Sequence, residues 1–376
     1  MDAVVSLGSQ QLPLPGVVLM GSPLDRIKST IKATPGLLAA YIAILRRLDA
    51  VIKSIYNIYY SPVAIPLLDA HTLRRKLSAL DAIAASPDDK TYYVIRRDCK
   101  TIGLYTYVTL FLSHFAYAVG KGYIPVIDMK HLPSMYLTKS QLGKENAWEY
   151  YYKQPYDTNL DDVMRCGRYL LSSSRYNPIP PDVNSLYDPK EGRLWAALYD
   201  KSVVLNDATR AYVEAECSAL LGNGRRVLGV LYRGTDYAQG RPFRHPIQPQ
   251  LEDVLARAKE SMESWDCHYV YIATEEKRAV EAFRAVFPGR VLINDRVYYD
   301  ELGIDYSKRD IATTVAEGTH DRYRVGLVYL ASIMILARCN CLVAGMCAGT
   351  YAAVYINGGQ YEHKYFFDLG RYGVDD

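Results

Sequence analysis

The chain has little net charge, no regular cysteine spacing, few phenylalanines and no long uninterrupted apolar run, and each absence removes a class of protein. A formal charge of +3, with no basic stripe interleaved with stacking aromatics, argues against a nucleic-acid partner. The seven cysteines, Cys99, Cys166, Cys217, Cys267, Cys339, Cys341 and Cys347, are odd in number and irregularly placed. They read as free thiols in a reducing, cytoplasmic setting. Cys339 and Cys341 lack a second pair at zinc spacing, so no structural metal is expected there. Met1 to Met20 has no basic segment leading into a clean apolar run, and so does not read as a signal peptide. The most apolar long window, Thr101 to Val119, is broken by Thr106, Thr109, Ser113 and His114, which favours a buried helix over a membrane span.

Catalytic signatures are also missing. There is no H-E-x-x-H and no G-x-S-x-G, and the seven histidines are scattered. No D-x-D is present to hold a metal–nucleotide complex. The adjacent pairs Asp88-Asp89 and Asp161-Asp162 read as helix-cap or surface features. No metal is expected.

What is present is a chain of 376 residues, 49% hydrophobic and 23% charged, ample for two domains of ordinary size. Tyrosine outnumbers phenylalanine 34 to 7. Rings with a polar tip suit sugar faces and half-wet interfaces, although compositional bias is the simpler source of most of them. Residues 1–90 hold ten Lys/Arg against seven Asp and so carry the whole positive excess. Gly36 to Tyr60 has helical periodicity, and a second basic helix is expected from Thr72 to Ala84. Packing against the rest of the protein is the simpler reading of this helical region. The sharper one is peripheral contact with an anionic membrane surface.

From Thr91 the pattern becomes β/α alternation. Tyr92 to Ile95 reads as a strand, followed by a helix to Ala118 and a strand from Tyr123 to Ile127. Asn146 to Pro155 fits neither period. Ser172 to Lys190, with four prolines, reads as a linker, and a helix from about Asn206 to Leu221 follows. Strands are expected at Val227 to Tyr232, His268 to Ala273, Val291 to Ile293 and Cys341 to Ala344. Helices are expected at Pro249 to Met262, Glu276 to Val286, Arg322 to Arg338 and Thr350 to Ile356. Strand and crossover helix repeated in this way imply a doubly wound parallel sheet, with ligands at the carboxyl ends of its strands.

Three of those ends carry usable chemistry. The first strand ends in Tyr232-Arg-Gly-Thr-Asp236, where Arg233 can clamp a phosphate and Gly234 allows close backbone approach. The plainer reading is an Arg233–Asp236 ion pair that pins the loop. The second ends in Thr274-Glu275-Glu276, with Thr274 placed to cap the next helix. The third runs through Gly345-Met-Cys-Ala-Gly349-Thr350 into a helix, a glycine-flanked helix start suited to anions, with Cys347, Ala348 and Thr350 at the turn. It matches neither the dinucleotide fingerprint nor a Walker-type phosphate loop.

The segment Val227-Leu-Gly-Val-Leu-Tyr-Arg-Gly-Thr-Asp236, with His245-Pro246, resembles the donor-site strand and loop of the α1,6-fucosyltransferases and, more distantly, the protein O-fucosyltransferases. The resemblance continues through Tyr271-Ile-Ala-Thr-Glu-Glu276, His320-Asp-Arg-Tyr323 and Cys341 to Tyr355, about 150 residues in all. Gly103-Leu104 and the strand after their helix are similar to the family's first Rossmann unit. The resemblance implies a GT-B-like α/β fold with two Rossmann-like domains facing a cleft, an acceptor-side domain (91–200) and a donor domain (201–376). Residues 1–90 lie outside the resemblance and read from their periodicity as an α-helical extension. It implies an inverting, metal-independent enzyme that needs no cofactor beyond a nucleotide-sugar donor, GDP-fucose, and acts on a glycan acceptor. The donor residues would be Tyr232, Arg233, Gly234, Thr235, Thr274, Glu275, Gly345, Cys347, Ala348, Gly349 and Thr350, with Asp236 and His245 as candidate catalytic bases and Gly103 and Leu104 across the cleft. The family's guanine-reading histidine and aspartate fall at Leu231 and Ser332. A second arginine falls at Gly234, and a loop acid at Arg241. The alternatives are a different nucleotide sugar on the same scaffold, or a nucleotide-sugar or glycan binder without turnover.

Overall fold

The computed structural model describes residues 69–86, 90–174, 177–178, 183–222 and 224–374. The expected helix within Gly36 to Tyr60 and the pair Asp88-Asp89 lie outside these residues. The described elements belong to one unit, Tyr60–Asp376.

The C-terminal half builds a five-stranded sheet in the order β6-β5-β4-β7-β8, parallel throughout. Its strands are β4 (Val227–Leu231), β5 (Tyr269–Ala273), β6 (Val291–Leu292), β7 (Cys341–Gly345) and β8 (His363–Phe367). β4 and β7 are buried along their whole length, because helices cover both faces. Successive side chains point to opposite faces. Leu228, Val230, Val270, Ile272, Cys341 and Val343 enter one core layer. Val227, Leu231, Tyr271, Ala273, Leu342 and Ala344 enter the other.

The N-terminal half builds a three-stranded parallel sheet, β2-β1-β3, from β1 (Tyr92–Arg96), β2 (Ile124–Asp128) and the unexpected edge strand β3 (Tyr169–Leu171). Between β1 and β2 runs α2 (Leu104–Lys121), stopped by Gly122 in the left-handed conformation at φ 74°. This is the apolar window of the sequence; twelve of its residues are buried, ten of them in the shared core. Before β1, α1 (Ala70–Ala85) buries Leu73 and Leu80 in that same core, as the packing reading of this basic helix requires.

The two sheets share one core across a layer of helices. These are α2, α5 (Pro189–Ser202), α11 (Arg322–Ala337) and α12 (Ala348–Asn357). Tyr105 on α2 donates its hydroxyl to the Leu330 carbonyl of α11 at 3.1 Å. The Asn146–Pro155 stretch, which fits neither period, is a turn-rich wedge holding Trp148, Tyr151 and Tyr152 in the core. Two further parallel-sheet helices follow expectation, α8 (Leu251–Ser264) and α9 (Lys277–Val286). Short helices α3 (Leu160–Cys166), α4 (Asn184–Tyr187), α7 (Thr235–Gly240) and α10 (Ile311–Glu317) and the longer α6 (Asp207–Leu221) complete the described set.

The expected linker is corrected in part. Its last two residues begin α5, where Pro189 occupies the first turn and Asp188 caps the Lys190 amide at 2.8 Å. Proline at that position costs the helix nothing, since the first-turn N–H has no intrahelical partner. Asp161 and Asp162 sit in the first turn of α3, exposed, with Lys130 at 2.7 Å from Asp161 and Arg165 bonded to Asp162. They behave as the surface pair the sequence suggests. No helix among the described residues is long and apolar enough to cross a membrane.

Candidate active site

Strand register brings the site together. Leu231 lies opposite Ala273, and Tyr271 opposite Leu292. Counting outward along each chain therefore sets Arg233, Glu275 and Arg296 at one level, past the carboxyl ends of β4, β5 and β6. All three line a cleft of about 520 Å³. Its far wall comes from the N-terminal half: Thr101 and Gly103 just before α2, Thr106 in its first turn, and Tyr136.

The loop after β4 is tightly fixed. Thr235 has φ 35°, a left-handed conformation that costs a β-branched residue of the order of 1–3 kcal/mol. Two buried carboxylates hold it there. Glu276 accepts the Thr235 amide, and Glu275 accepts its hydroxyl at 2.6 Å. A Cβ on Gly234 would stand 2.5 Å from the carboxyl carbon of Glu276, so only glycine lets that carboxylate reach the loop.

Arg233 is the cation this loop presents. Its Nη2 donates to both oxygens of Asp236, at 3.0 and 3.3 Å, and its Nε lies 3.8 Å from Glu275. The guanidinium lies 4.7 Å from the Tyr237 ring centre. Burial opposes the charge on Arg233, but Asp236 and Glu275 outweigh it and raise its pKa. Burial also raises the pKa of Glu275, with Arg233 and the Thr235 hydroxyl pulling the other way. The Asp236 carboxylate accepts the Ile311 amide at 3.1 Å as well, tying the loop to the start of α10. Pinning and presentation are thus one arrangement: Asp236 and Glu275 orient an arginine that stays about a quarter exposed at the cleft.

Two helix N-termini open into the same space. α2 begins after Gly103 and α12 after Cys347, neither with a side-chain cap. The amides of Ala348 and Gly349 meet no acceptor among the described residues. Free N–H groups and the positive helix ends favour an anion between them and Arg233.

The structure sorts the expected residues. Gly103, Arg233, Asp236, His245, Glu275, Cys347 and Ala348 line the cleft. His245 sits at its rim, edge-on to Tyr237 at 5.1 Å, and partial enclosure lowers its pKa. The others act from behind. Leu104 is core on α2, and Tyr232 points into the opposite core layer. Gly234 and Thr235 shape the loop and are not lining residues. Gly345 abuts Gln248, and Gly349 packs under Ile333 and Tyr329. Thr350 is fully buried and donates its hydroxyl to the Gly345 carbonyl at 2.5 Å, so it does not face a ligand. Thr274 accepts the Glu276 amide at 3.2 Å. It does not cap α9: Asp300 does, taking the Lys277 and Arg278 amides at 2.9 and 3.0 Å. Ser332 and Leu231 are buried too, away from the cleft lining.

Sequence reasoning missed Arg296, Tyr237, Tyr299, Tyr306 and Tyr329, all cleft-lining. Arg296 carries a usable signal: like Arg233, it is an arginine shortly after an apolar strand, four residues past Leu292 where Arg233 is two past Leu231.

No family model matches the chain, and no curated protein does. Among solved structures it is similar to the fucosyltransferase NodZ from Bradyrhizobium, at 15% identity over 70% of this chain and 92% of that one, TM-score 0.43. The NodZ α-1,6-fucosyltransferase co-crystallised with GDP gives 14%, 70%, 92% and 0.44. POFUT1 in complex with GDP-fucose gives 12%, 75%, 99% and 0.40. These likenesses are remote and assign no family.

Proposed function

We propose that this chain is a glycosyltransferase that holds a nucleoside diphosphate sugar in the cleft and passes the sugar to a glycan acceptor. One observation carries the reading. Arg233 and the open N-terminus of α12 at Cys347 and Ala348, at the carboxyl ends of the adjacent strands β4 and β7, line one cleft. That pairing suits a diphosphate. The sequence resemblance at Val227 to Asp236 points to GDP-fucose as the donor.

In this reading the nucleotide leaves as its bond to the sugar breaks, and negative charge builds on the diphosphate. Arg233, fixed beforehand by Asp236 and Glu275, stabilises that charge without reorganising. With cations and amides already in place, the reaction proceeds without metal, and attack from the face opposite the leaving group inverts the sugar carbon. Both oxygens of Asp236 are engaged, which suits a positioning residue. His245, at the rim with a lowered pKa, is the better-placed base.

The test is incubation of purified protein with GDP-fucose in excess chelator, with release of GDP measured. Release supports the reading. Release only after Mg²⁺ or Mn²⁺ is restored would overturn metal independence, and GDP binding without any release would make the chain a binder.

A further inference from the structure

Arg296 has a setting unlike that of Arg233. Its Nη1 donates to the Ser332 hydroxyl at 2.7 Å, and its guanidinium lies 5.5 Å from the Tyr329 ring centre. No carboxylate lies within 4.0 Å of it among the described residues, because its neighbour Asp295 pairs with Arg324 instead. Ser332 is fully buried and itself hydrogen-bonded to the Val328 carbonyl at 2.7 Å. It therefore fixes the guanidinium without cancelling its charge. Most of the five N–H donors of Arg296 remain for a ligand.

We infer that Arg296 reads the base of the donor nucleotide through two adjacent acceptors on one edge, O6 and N7 of guanine. The inference rests on the nucleotide-sugar reading above. Its place in the fold supports it. Adjacent strands lie ~4.8 Å apart, so the ends of β4 and β6, two strands apart, are separated by roughly 10 Å. Arg233 and Arg296 therefore enter the cleft from different strand ends, Arg233 nearer α12 and Arg296 beyond β6. The cleft extends from Arg233 toward β6, lined by Arg296, Val297 and Tyr299, and no residue of β8 lines it. A nucleotide anchored by its phosphates at Arg233 and α12 carries its base toward Arg296.

The chemistry of the fork selects the edge. Arginine has donors and no acceptor, so it cannot serve the N1–H and N2–H₂ edge of guanine. It matches O6 and N7 in bidentate fashion. Adenine offers N7 beside an N6 donor, which breaks the pair, and uracil offers O4 beside an N–H. Cytosine presents an adjacent pair on a smaller ring. This assignment restores guanine recognition to a chain with Leu231 and Ser332 buried away from the cleft lining.

Calorimetric titration of GDP, IDP, 7-deaza-GDP and CDP into wild type, Arg296→Ala and Arg296→Lys tests it. IDP keeps O6 and N7 but lacks the 2-amino group; 7-deaza-GDP lacks N7. Wild type should bind GDP and IDP within about twofold, and 7-deaza-GDP about tenfold or more weaker. Arg296→Ala should lose roughly 10- to 100-fold for GDP and cease to distinguish it from 7-deaza-GDP. Arg296→Lys should keep part of both the affinity and the distinction, since an ammonium can still donate to O6 and N7 without the planar fork. The inference is overturned if wild type binds 7-deaza-GDP as well as GDP, which would put Arg296 on phosphate, if IDP binds far more weakly than GDP, or if CDP binds tightest. Failure of every nucleotide to bind would instead overturn the nucleotide-sugar reading itself.

Discussion

Replacing Arg233 with lysine keeps the positive charge and removes the planar fork. In the native loop one guanidinium nitrogen bonds Asp236 at 3.0 and 3.3 Å, a second lies 3.8 Å from Glu275, and the plane lies over Tyr237. A lysine ammonium is a point donor and cannot face both acids and still present an edge to a diphosphate. Losing one preorganised donor lowers turnover by about 10²–10³, or roughly 2.7–4 kcal/mol in the barrier. Stability should fall far less. The side chain is partly exposed, both carboxylates keep a cation nearby, and the lost ring contact is worth about 0.5–2 kcal/mol. The melting temperature should therefore drop by only a few degrees. The assay pairs GDP release from GDP-fucose, normalised to folded protein, with a thermal melt. A large fall in melting temperature with normal turnover per folded molecule would refute the reasoning and leave Arg233 as a structural ion pair.

The loop and its acids give further tests. Gly234→Ala pushes the Glu276 carboxylate off the Thr235 amide and should cost about 1–3 kcal/mol in urea denaturation; unchanged stability would contradict the fit described. Burial raises the folded pKa of Glu275, so its ionisation opposes folding: its contribution is most favourable below the unfolded value near 4.5 and is lost as pH rises through the folded pKa. Glu275→Gln should therefore gain stability relative to wild type as pH climbs above about 4.5, and a constant or shrinking difference between their pH–stability curves would show the sign to be wrong. The lowered pKa of His245 keeps it neutral down to below its ordinary 6.5, so wild-type turnover should fall on its acid side with a midpoint under that value. His245→Gln should remove that limb, and persistence of the same limb would exclude the histidine as base.

Much of this fold is legible because burial on both faces leaves plain apolar runs, as in Val227 to Leu231 and Cys341 to Ala344. Helix α5 was hidden by proline read as a breaker, although Pro189 sits where the missing N–H goes unused. The site was legible at Arg233, where a charged residue directly follows an apolar strand. It was misread wherever a hydroxyl's partner is set by the fold. Thr350 turns its proton back to Gly345, and Thr274 serves Glu276, while the cap of α9 comes from Asp300, more than twenty residues downstream. Arg296 is hard to read because β6 is only two residues long and four residues separate its end from the arginine. Local pattern carries the strands; long-range pairing decides which side chains face the cleft.

The central claim, that this cleft holds a nucleoside diphosphate and prefers guanine, is tested most directly by titrating GDP, UDP, ADP and dTDP in parallel without metal into wild type and Arg233→Lys. The account predicts that wild type binds GDP about tenfold or more tighter than the others, a difference of about 1.4 kcal/mol, and that the lysine variant weakens all that bind. Preference for UDP or dTDP would remove fucose from GDP-fucose as the transferred sugar. Absence of binding by any of the four would contradict the account at its base.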